Sequence, residues 1–556
     1  MIGIYRQYVN ETYDKNGLLK TYSVNVPENF NFAFDIVDEI ARLEPGKRAL
    51  VWCDEHGAER IFTFAEMKEY SDRAANFFRS MGIRKGDRVM LLLKRHYEYW
   101  IAVLALHKLG AVAVPGVAML TEKDLAYRFN AAGIKAVMST SDGETADQVD
   151  LAQAESSTLA LKIIARGSRE GWLSFHEGLQ AASPDFERPR GEEATHVRDM
   201  MLMYFTSGTT GFPKMVYHDY SYPIGHIITA RHWQNVMPDG LHLSVADTGW
   251  AKAGWGKIYG QWIMEAPIFV YDFDRFDAND LLTVIEKYGV TTFCAPPTIY
   301  RFLIKEGLGG HDLSCLRYAC TAGEALNAEV FKKFYEYTGL RIMEGFGQTE
   351  SVVLIGNLRG MEPRPGSLGK PVPLFHIELL DEDGSPVAPG EVGEICVDTS
   401  RGVPAGLFCG YYRDEAATRK VWHDGYYHTR DTAWMDEEGY LWYVGRTDDV
   451  IKSSGYRIGP FEIESVLMEH PAVLECAVTG APDPVRGQVV KATVVLTRSY
   501  APSDALAKEI KSYVKHQTAP YKYPRIIEFV PELPKTVSGK IRRAELRRRA
   551  AEFAIS

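Results

Sequence analysis

Between Arg88 and Thr321, short apolar runs and stretches of helical spacing take turns, and any fold for this chain must house that rhythm. Residues 88–93 form a strand-like run and residues 96–109 carry helical apolar spacing. Residues 111–114 form a second run, closed by Pro115 and Gly116. Similar runs recur at residues 136–138, 161–165, 200–205, 290–295 and 317–321, with helical patterns between most of them. Runs this short and this apolar are strands covered by helices, so the pattern predicts α/β layers on largely parallel sheets. A chain of 556 residues exceeds what one core can hold, which calls for two or more domains. There is no internal repeat and no low-complexity segment.

The texture changes after residue 363. Pro363, Pro365, Gly366, Gly369, Pro371 and Pro373, followed by Asp381, Glu382, Asp383 and Gly384, read as turns between short strands at 376–380 and 394–397. A small antiparallel, barrel-like subdomain is expected there. A second break falls near Arg446, Thr447, Asp448 and Asp449. Beyond it, helical spacing at 461–469 and 505–515 brackets strand-like runs at 474–479 and 489–496, an α+β domain of about a hundred residues. The chain is therefore read as residues 1–447 and 448–556. Seven Lys or Arg and one Glu lie between Lys535 and Arg549, which reads as a solvated helix face.

The net charge of -10 argues against nucleic acid as the main partner. No run of 18 apolar residues is present, so no membrane span is expected. Residues 1–18 lack the positive-then-apolar order of a secretory signal. Seven cysteines are scattered and none forms a C-x-x-C pair. A reducing, cytoplasmic setting is the expectation, with an oligomer allowed.

The chemistry begins at Thr206, Ser207, Gly208, Thr209, Thr210, Gly211, Phe212, Pro213 and Lys214, directly after an apolar run. Glycines let backbone N–H groups turn inward. Hydroxyls and N–H groups then make a concave anion site, to which Lys214 adds a point charge. The spacing is not that of a Walker loop, and no Ser or Thr follows the lysine. Glu344, Gly345, Phe346, Gly347, Gln348, Thr349 and Glu350 follow another strand-like run. There an aromatic ring can stack on a base, and a hydroxyl and a carboxylate can meet a phosphate and its magnesium. His428, Thr429, Arg430 and Asp431 put a carboxylate where it can grip ribose hydroxyls; Arg446 can do likewise or bind phosphate. Residues 534–540 set Lys540 on a glycine turn.

Taken together and in this order, these clusters resemble the motifs of the adenylate-forming superfamily, which includes acyl-CoA synthetases, peptide-synthetase adenylation domains and luciferases. The resemblance runs from about residue 60 to 550. Residues 454–460 and 519–525 look most like the medium-chain acyl-CoA synthetases, including archaeal enzymes for branched short acids. It implies an ATP-dependent acid–thiol ligase. A carboxylate attacks the α-phosphate of ATP, giving acyl-AMP and pyrophosphate; the coenzyme A thiol then takes the acyl group and AMP leaves.

By that resemblance, residues 206–214 hold the β and γ phosphates, Glu350 binds Mg2+ and Thr349 meets the α-phosphate. Glu324 and Phe346 frame adenine, with Glu344, Gly345, Gly347 and Gln348 on the same nucleotide-binding segment. Asp431 takes the ribose hydroxyls beside Arg446, and Lys540 bridges carboxylate and α-phosphate oxygens in the first step only. The residue 448–556 domain then turns about Asp448, withdrawing Lys540 and bringing in Ser454, Gly455 and Tyr456. Arg486, Lys515, Tyr523 and Arg525 receive the nucleotide end of coenzyme A. Arg457 is placed with the acyl pocket and the thioester-forming state.

Gly347 stands where acetate-specific relatives carry Trp, so room is expected there for an acid larger than acetate. Trp233, Lys252, Trp255 and Lys257 resemble the pocket wall of branched-acid enzymes; the lysine either meets a polar substrate or faces solvent. Arg430 departs from the glycine of most relatives and is expected to crowd or brace the ribose contact. Three readings stay open: the acyl-CoA synthetase, including an acetyl-CoA synthetase; an adenylating enzyme that hands its acyl group to a carrier protein; and a nucleotide-binding regulator without catalysis. The coenzyme-binding segments and the absence of an appended carrier domain weigh against the second. Lys540 and Glu350 weigh against the third.

Overall fold

The computed structural model describes residues 2–206, 212–324, 326–453, 456–519, 521–535 and 541–555, without the side chains of Arg457 and residues 552–555. Two large sheets carry the alternation. In the first, Val112–Pro115, Arg88–Leu92, Ile134–Ser139, Leu161–Ile164 and Leu173–Ser174 lie parallel in that order. Met200–Thr206 adds parallel to Val112–Pro115. Lys214–Asp219 and Gly410–Tyr411 then finish that edge antiparallel.

The second sheet is parallel from Ile342–Phe346 through Tyr318–Thr321, Thr292–Cys294, His242–Ser244 and Ile268–Asp272 to Arg48–Asp54. Glu59–Thr63 ends one edge antiparallel, and Ile355–Gly356 with Lys370–Pro371 ends the other. Parallel pairing thus holds where helices cover both faces, and short returns make the edges.

The helix expected from residue 96 begins at Glu98. His96 is held in the preceding turn, its ring 2.8 Å from Asp272 and 3.1 Å from Thr140. Every residue of Glu98–Leu109 is buried, as a helix apolar nearly all round must be. Its charged members are paired: Lys108 Nζ lies 2.8 Å from Asp38 and 2.6 Å from Asp72, and Glu98 meets Arg166. Gly110, at φ 70°, ends the helix and returns its N–H to the carbonyls of Leu106 and His107. Phe64–Ser80 packs alongside, started by a reciprocal cap between Thr63 and Glu66.

The turn-rich region is an antiparallel sheet of Ile377–Leu380, Val392–Asp398, Tyr426–Met435 and Trp422–His423, with Leu441–Arg446 added to Tyr426–Met435. After it, Val473–Asp483 and Gly487–Leu496 form a long hairpin. Ile526–Phe529 joins it parallel, and the hairpin of Ile451–Ser453 and Tyr456–Ile458 lies at its edge. Helices Pro460–Met468 and Asp504–Gln517 cover this sheet around Ile451, Ile463, Leu467, Val478, Ile510 and Val514, a core separate from that of the large sheets.

The basic end of the chain corrects one expectation. Helix Arg543–Ile555 is not simply a solvated face. Arg543 Nη2 donates to both oxygens of Glu464 at 2.7 and 2.6 Å, and Arg547 pairs with Asp449.

Candidate active site

The strand pair Met200–Thr206 and Lys214–Asp219 sets Thr206 opposite Lys214. The two ends of the hydroxyl- and glycine-rich run therefore meet at one end of this strand pair. Ser207, Gly208, Thr209, Thr210 and Gly211 lie outside the described residues, as do Ser454, Gly455, Lys540 and the Arg457 side chain. Lys214 Nζ sits 4.4 Å from the centre of the Tyr411 ring. The Tyr411 hydroxyl donates to Glu350 Oε1 at 2.9 Å. Desolvation in this cleft raises the Glu350 carboxyl above its ordinary range, against the pull of Tyr411, Arg446 and Lys214. It lowers the Lys214 ammonium, which Glu350 partly offsets. The backbone beside Glu350 is pinned from behind. Burial pushes His218 down to about 4, so its neutral ring donates from Nε2 to the Thr349 carbonyl at 2.8 Å.

Asp431 and Arg446 are directly opposed on adjacent strands. Asp431 is buried. Its Oδ2 accepts from Gln348 Nε2 at 2.5 Å and its Oδ1 from the Tyr443 hydroxyl at 2.9 Å. Arg446 Nη1 stands 3.8 Å away. Gln348 is itself fixed, donating to the Thr429 carbonyl at 2.8 Å and accepting from the Tyr427 hydroxyl at 2.5 Å. Phe346 lies 6.4 Å from Tyr443, ring centre to ring centre, and Tyr443 makes an edge contact with Phe461 across the second break. The structure thus brings Phe346, Gln348, Asp431 and Arg446 to one place, with Glu350, Thr349 and Lys214 beside them. Tyr411, Tyr427, Tyr443 and His218 were not foreseen. The available signal was strand alternation: Tyr427 and Tyr443 lie on the strands that carry Asp431 and Arg446.

Glu344 and Glu324, both on the expected nucleotide side, differ in burial. Glu344 points into the protein, 3% exposed, where its Oε1 accepts the Leu326 N–H at 3.1 Å. Burial pushes its carboxyl up to about 8. Glu324 is exposed and accepts from the Thr298 hydroxyl at 3.0 Å. Glu344 therefore braces the segment after Glu324 from the inside.

Gly345 and Gly347 are seats for two indoles. A Cβ on Gly345 would stand 2.5 Å from Trp233, and one on Gly347 would stand 2.4 Å from Trp255 and 2.6 Å from the Val352 carbonyl. Residues two apart on an extended segment share a face, so both rings lie on the same side, in edge contact with centres 5.9 Å apart. Trp233 Nε1 is anchored on the Met343 carbonyl at 3.1 Å. The room expected at Gly347 is therefore already filled by an indole, supplied by Trp255. Lys252 Nζ donates to the Ala322 carbonyl at 2.6 Å, while Lys257 is buried and pushed down to about 7 by desolvation.

On the second domain, Lys515 and Arg525 approach the Tyr523 ring at 5.6 and 5.2 Å. Arg486 lies 4.0 Å from Asp483. Tyr456 is half exposed and stacks on Tyr521 at 4.2 Å. Asp448 has three guanidinium neighbours: Arg446 at 3.4 Å, and Arg430 and Arg547 at 4.0 Å each. Arg430, at φ 63°, thus reaches the break between domains and does not crowd Asp431. Among the described residues, no helix is long and apolar enough to cross a membrane.

Residues 37–412 match the family described as AMP-binding enzyme, and residues 462–540 match the AMP-binding enzyme C-terminal domain. The chain is 41% identical to acyl-coenzyme A synthetase ACSM3, mitochondrial, of Rattus norvegicus, over 98% of this chain and 95% of the relative. It is 44% identical to acyl-coenzyme A synthetase ACSM5, mitochondrial, of Homo sapiens, over 94% and 91%. Among solved structures, an anthranilate CoA ligase in complex with anthranoyl-AMP superposes with a TM-score of 0.86 at 30% identity, covering 96% of this chain and 99% of the other. A benzoate CoA ligase from Burkholderia xenovorans LB400 gives 0.81 at 29%, covering 93% and 100%. The expected cytoplasmic address does not stand, because these full-length relatives carry mitochondrial in their names; reduced cysteines fit either compartment. The chain belongs to the adenylate-forming AMP-binding enzymes, as its motifs indicated.

Proposed function

We propose that this AMP-forming acyl-CoA synthetase joins a short, branched or medium-chain carboxylic acid to coenzyme A at one cleft that serves two reactions in turn. The observation that carries the reading is the closed set around Asp431. Gln348, Tyr443 and Arg446 converge on one buried carboxylate beside Phe346, which suits a ribose whose hydroxyls need a fixed acceptor and a base that needs a ring. ATP then lies with its ribose on Asp431 and its phosphates toward Thr206 and Lys214.

Glu350 fits a magnesium ion: it offers hard oxygens, and magnesium takes the remainder from phosphates and water, with Thr349 left to meet the α-phosphate. Glu350, already desolvated and pushed toward its neutral form, is a carboxylate that a nearby dication would ionise. Once bound, the ion neutralises phosphate charge. Tyr411 keeps Glu350 in place, and His218 keeps the Thr349 backbone in place.

In the first step an acid oxygen attacks the α-phosphorus and pyrophosphate leaves. Lys540, carried by the second domain, supplies the cation between the two oxygens. The domain then turns about Asp448, and the segment of Ser454, Gly455 and Tyr456 replaces Lys540. Coenzyme A enters with its nucleotide end near Arg486, Lys515, Tyr523 and Arg525. Its sulfur attacks the acyl carbonyl and AMP departs. The contacts across the break are mixed: Asn327 Nδ2 donates to the Ser465 carbonyl at 3.2 Å, and Tyr443 meets Phe461 edge-on.

Trp255 and Trp233 set the wall of the acyl site, with Lys252 at its nucleotide side. The solved relatives above are named for aromatic acids, so a panel must include those as well as acids from C2 to C10. Pyrophosphate release is measured with each acid, with and without coenzyme A. Release with thioester formation supports the proposal. Acyl-AMP that coenzyme A cannot discharge favours transfer to a carrier protein, release with acetate above all others favours an acetyl-CoA synthetase, and no release with any acid removes catalysis.

A further inference from the structure

The pairing of Val392–Asp398 with Tyr426–Met435 sets Cys396 directly opposite His428. Opposed residues share a face of the sheet, and Glu394, two residues before Cys396, shares it as well. Their donor atoms meet. Cys396 Sγ lies 3.4 Å from His428 Nδ1, and that nitrogen lies 3.2 Å from Glu394 Oε2. All three donors fall within 4.8 Å of one another, the one such His, Cys and carboxylate group among the described residues.

The spacing has a specific chemical meaning. Around a tetrahedral zinc ion, bonds of about 2.3 Å to sulfur, about 2.0 Å to nitrogen and about 2.1 Å to oxygen place neighbouring donors roughly 3.4–3.6 Å apart. Two edges of that figure, sulfur to nitrogen at 3.4 Å and nitrogen to oxygen at 3.2 Å, are already close to length, and the third donor pair lies within 4.8 Å. As a purely hydrogen-bonded cluster it is less complete. One nitrogen, Nδ1, faces both a carboxylate and a thiol, and a proton on it can serve only one of them. A cation satisfies all three groups at once.

The surroundings hold the donors in place. A bulge opposite Ile395 carries Arg430, whose N–H donates to Glu394 Oε1 at 2.7 Å. That fixes one carboxylate oxygen and leaves Oε2 turned to His428. The His423 ring stacks on His428 with centres 4.0 Å apart, which holds the imidazole plane. Such outer contacts orient metal ligands. Cys396 is fully buried, while His428 and Glu394 keep 12% and 21% exposure, so an ion has a way in and water can complete its shell.

We propose that Glu394, Cys396 and His428 form a binding site for a thiophilic divalent cation of the zinc class, separate from the magnesium of the nucleotide site. On binding, the Cys396 S–H bond breaks, a sulfur–metal bond forms and the proton passes to solvent. His428 binds through the Nδ1 lone pair and Glu394 through Oε2. Because Glu394 also holds the Arg430 peptide, the ion stiffens the bulge that presents Asp431.

The test is a Co2+ titration of the metal-stripped full chain, followed by the absorption of the thiolate-to-cobalt bond. The expected result is one equivalent of Co2+ with that absorption, displaced by Zn2+ and not by Mg2+. Cys396→Ser removes the absorption. Glu394→Gln, at a partly exposed position, and His428→Gln each weaken binding by at least about tenfold, with near-ultraviolet circular dichroism confirming a folded chain. The proposal is overturned if the unaltered chain shows no thiolate absorption. It is equally overturned if the absorption survives Cys396→Ser, or if Glu394→Gln binds with unchanged affinity.

Discussion

Glu344→Gln isolates the energetic consequence of a carboxyl buried against the Leu326 backbone. Glu344 is 3% exposed and its carboxyl is pushed from 4.5 up to about 8 by burial. The folded chain therefore keeps a proton that the unfolded chain has already lost above pH 4.5. The stability this proton secures is complete below pH 4.5, falls as pH rises toward 8, and is fully lost above it. Each pH unit across that window is worth ~1.4 kcal/mol, so the loss amounts to roughly 3–5 kcal/mol for a fully desolvated carboxyl. Glutamine keeps the acceptor for the Leu326 N–H and cannot ionise. The variant should match the parent near pH 5 and exceed it increasingly up to pH 8.5. The assay is denaturant unfolding of the large domain between pH 5 and 9, with hydrogen exchange at the Leu326 amide as a local reading. Parallel stability curves for the two proteins across that range would refute the buried, proton-holding role of Glu344.

Gly347→Ala forces a Cβ to within 2.4 Å of Trp255 and 2.6 Å of the Val352 carbonyl, and should destabilise the large domain by about 1–3 kcal/mol; adding Trp255→Ala should recover part of that loss, and an equal cost in both backgrounds would contradict the packing. Lys540→Ala should reduce acyl-AMP formation by at least about a hundredfold while leaving thioester formation from supplied acyl-AMP largely intact, measured as two separate half-reactions; equal loss of both removes its assigned role. Asp448→Pro should let acyl-AMP accumulate and stall its discharge, and normal thioester turnover would count against a pivot at this residue.

The alternation of apolar runs made the two layered sheets legible because buried parallel strands need continuous apolar stretches. The antiparallel edges were not, since two-residue strands such as Ile355–Gly356 and Gly410–Tyr411 leave no periodicity to read. At the site, residues whose chemistry is carried by type and order stood out: Asp431, Arg446, Glu350 and Lys214. Residues that work by holding others did not. Tyr411, Tyr427 and His218 are ordinary core residues in sequence, and only the folded chain shows that each aims a polar atom at Glu350, Gln348 or the Thr349 carbonyl. Gly347 shows the opposite failure. A small residue was read as open space, but space in a close-packed protein belongs to whichever side chain reaches it, and here that is the Trp255 indole.

The charges around the break between the domains divide by strength in a way that fits a turning joint. Inside the second domain, Glu464 and Arg543 are bound through two contacts at 2.6 and 2.7 Å, with the Glu464 carboxylate only 12% exposed. Such a pair is costly to break once its partners are desolvated. At Asp448 the contacts are longer, 3.4 to 4.0 Å, and the groups that make them keep 25–36% of their exposure. Pairs of that kind contribute about 0–1 kcal/mol each and are screened by salt. They can orient the domain before adenylation and be surrendered afterwards. Arg446 stands between two carboxylates, 3.4 Å from Asp448 and 3.8 Å from Asp431, and so links the proposed ribose contact to the joint. If the proposed turn about Asp448 carries the second step, raising ionic strength should alter the discharge of acyl-AMP by coenzyme A more than it alters acyl-AMP formation. Identical salt dependence of the two half-reactions would show that the arginines around Asp448 do not govern the turn.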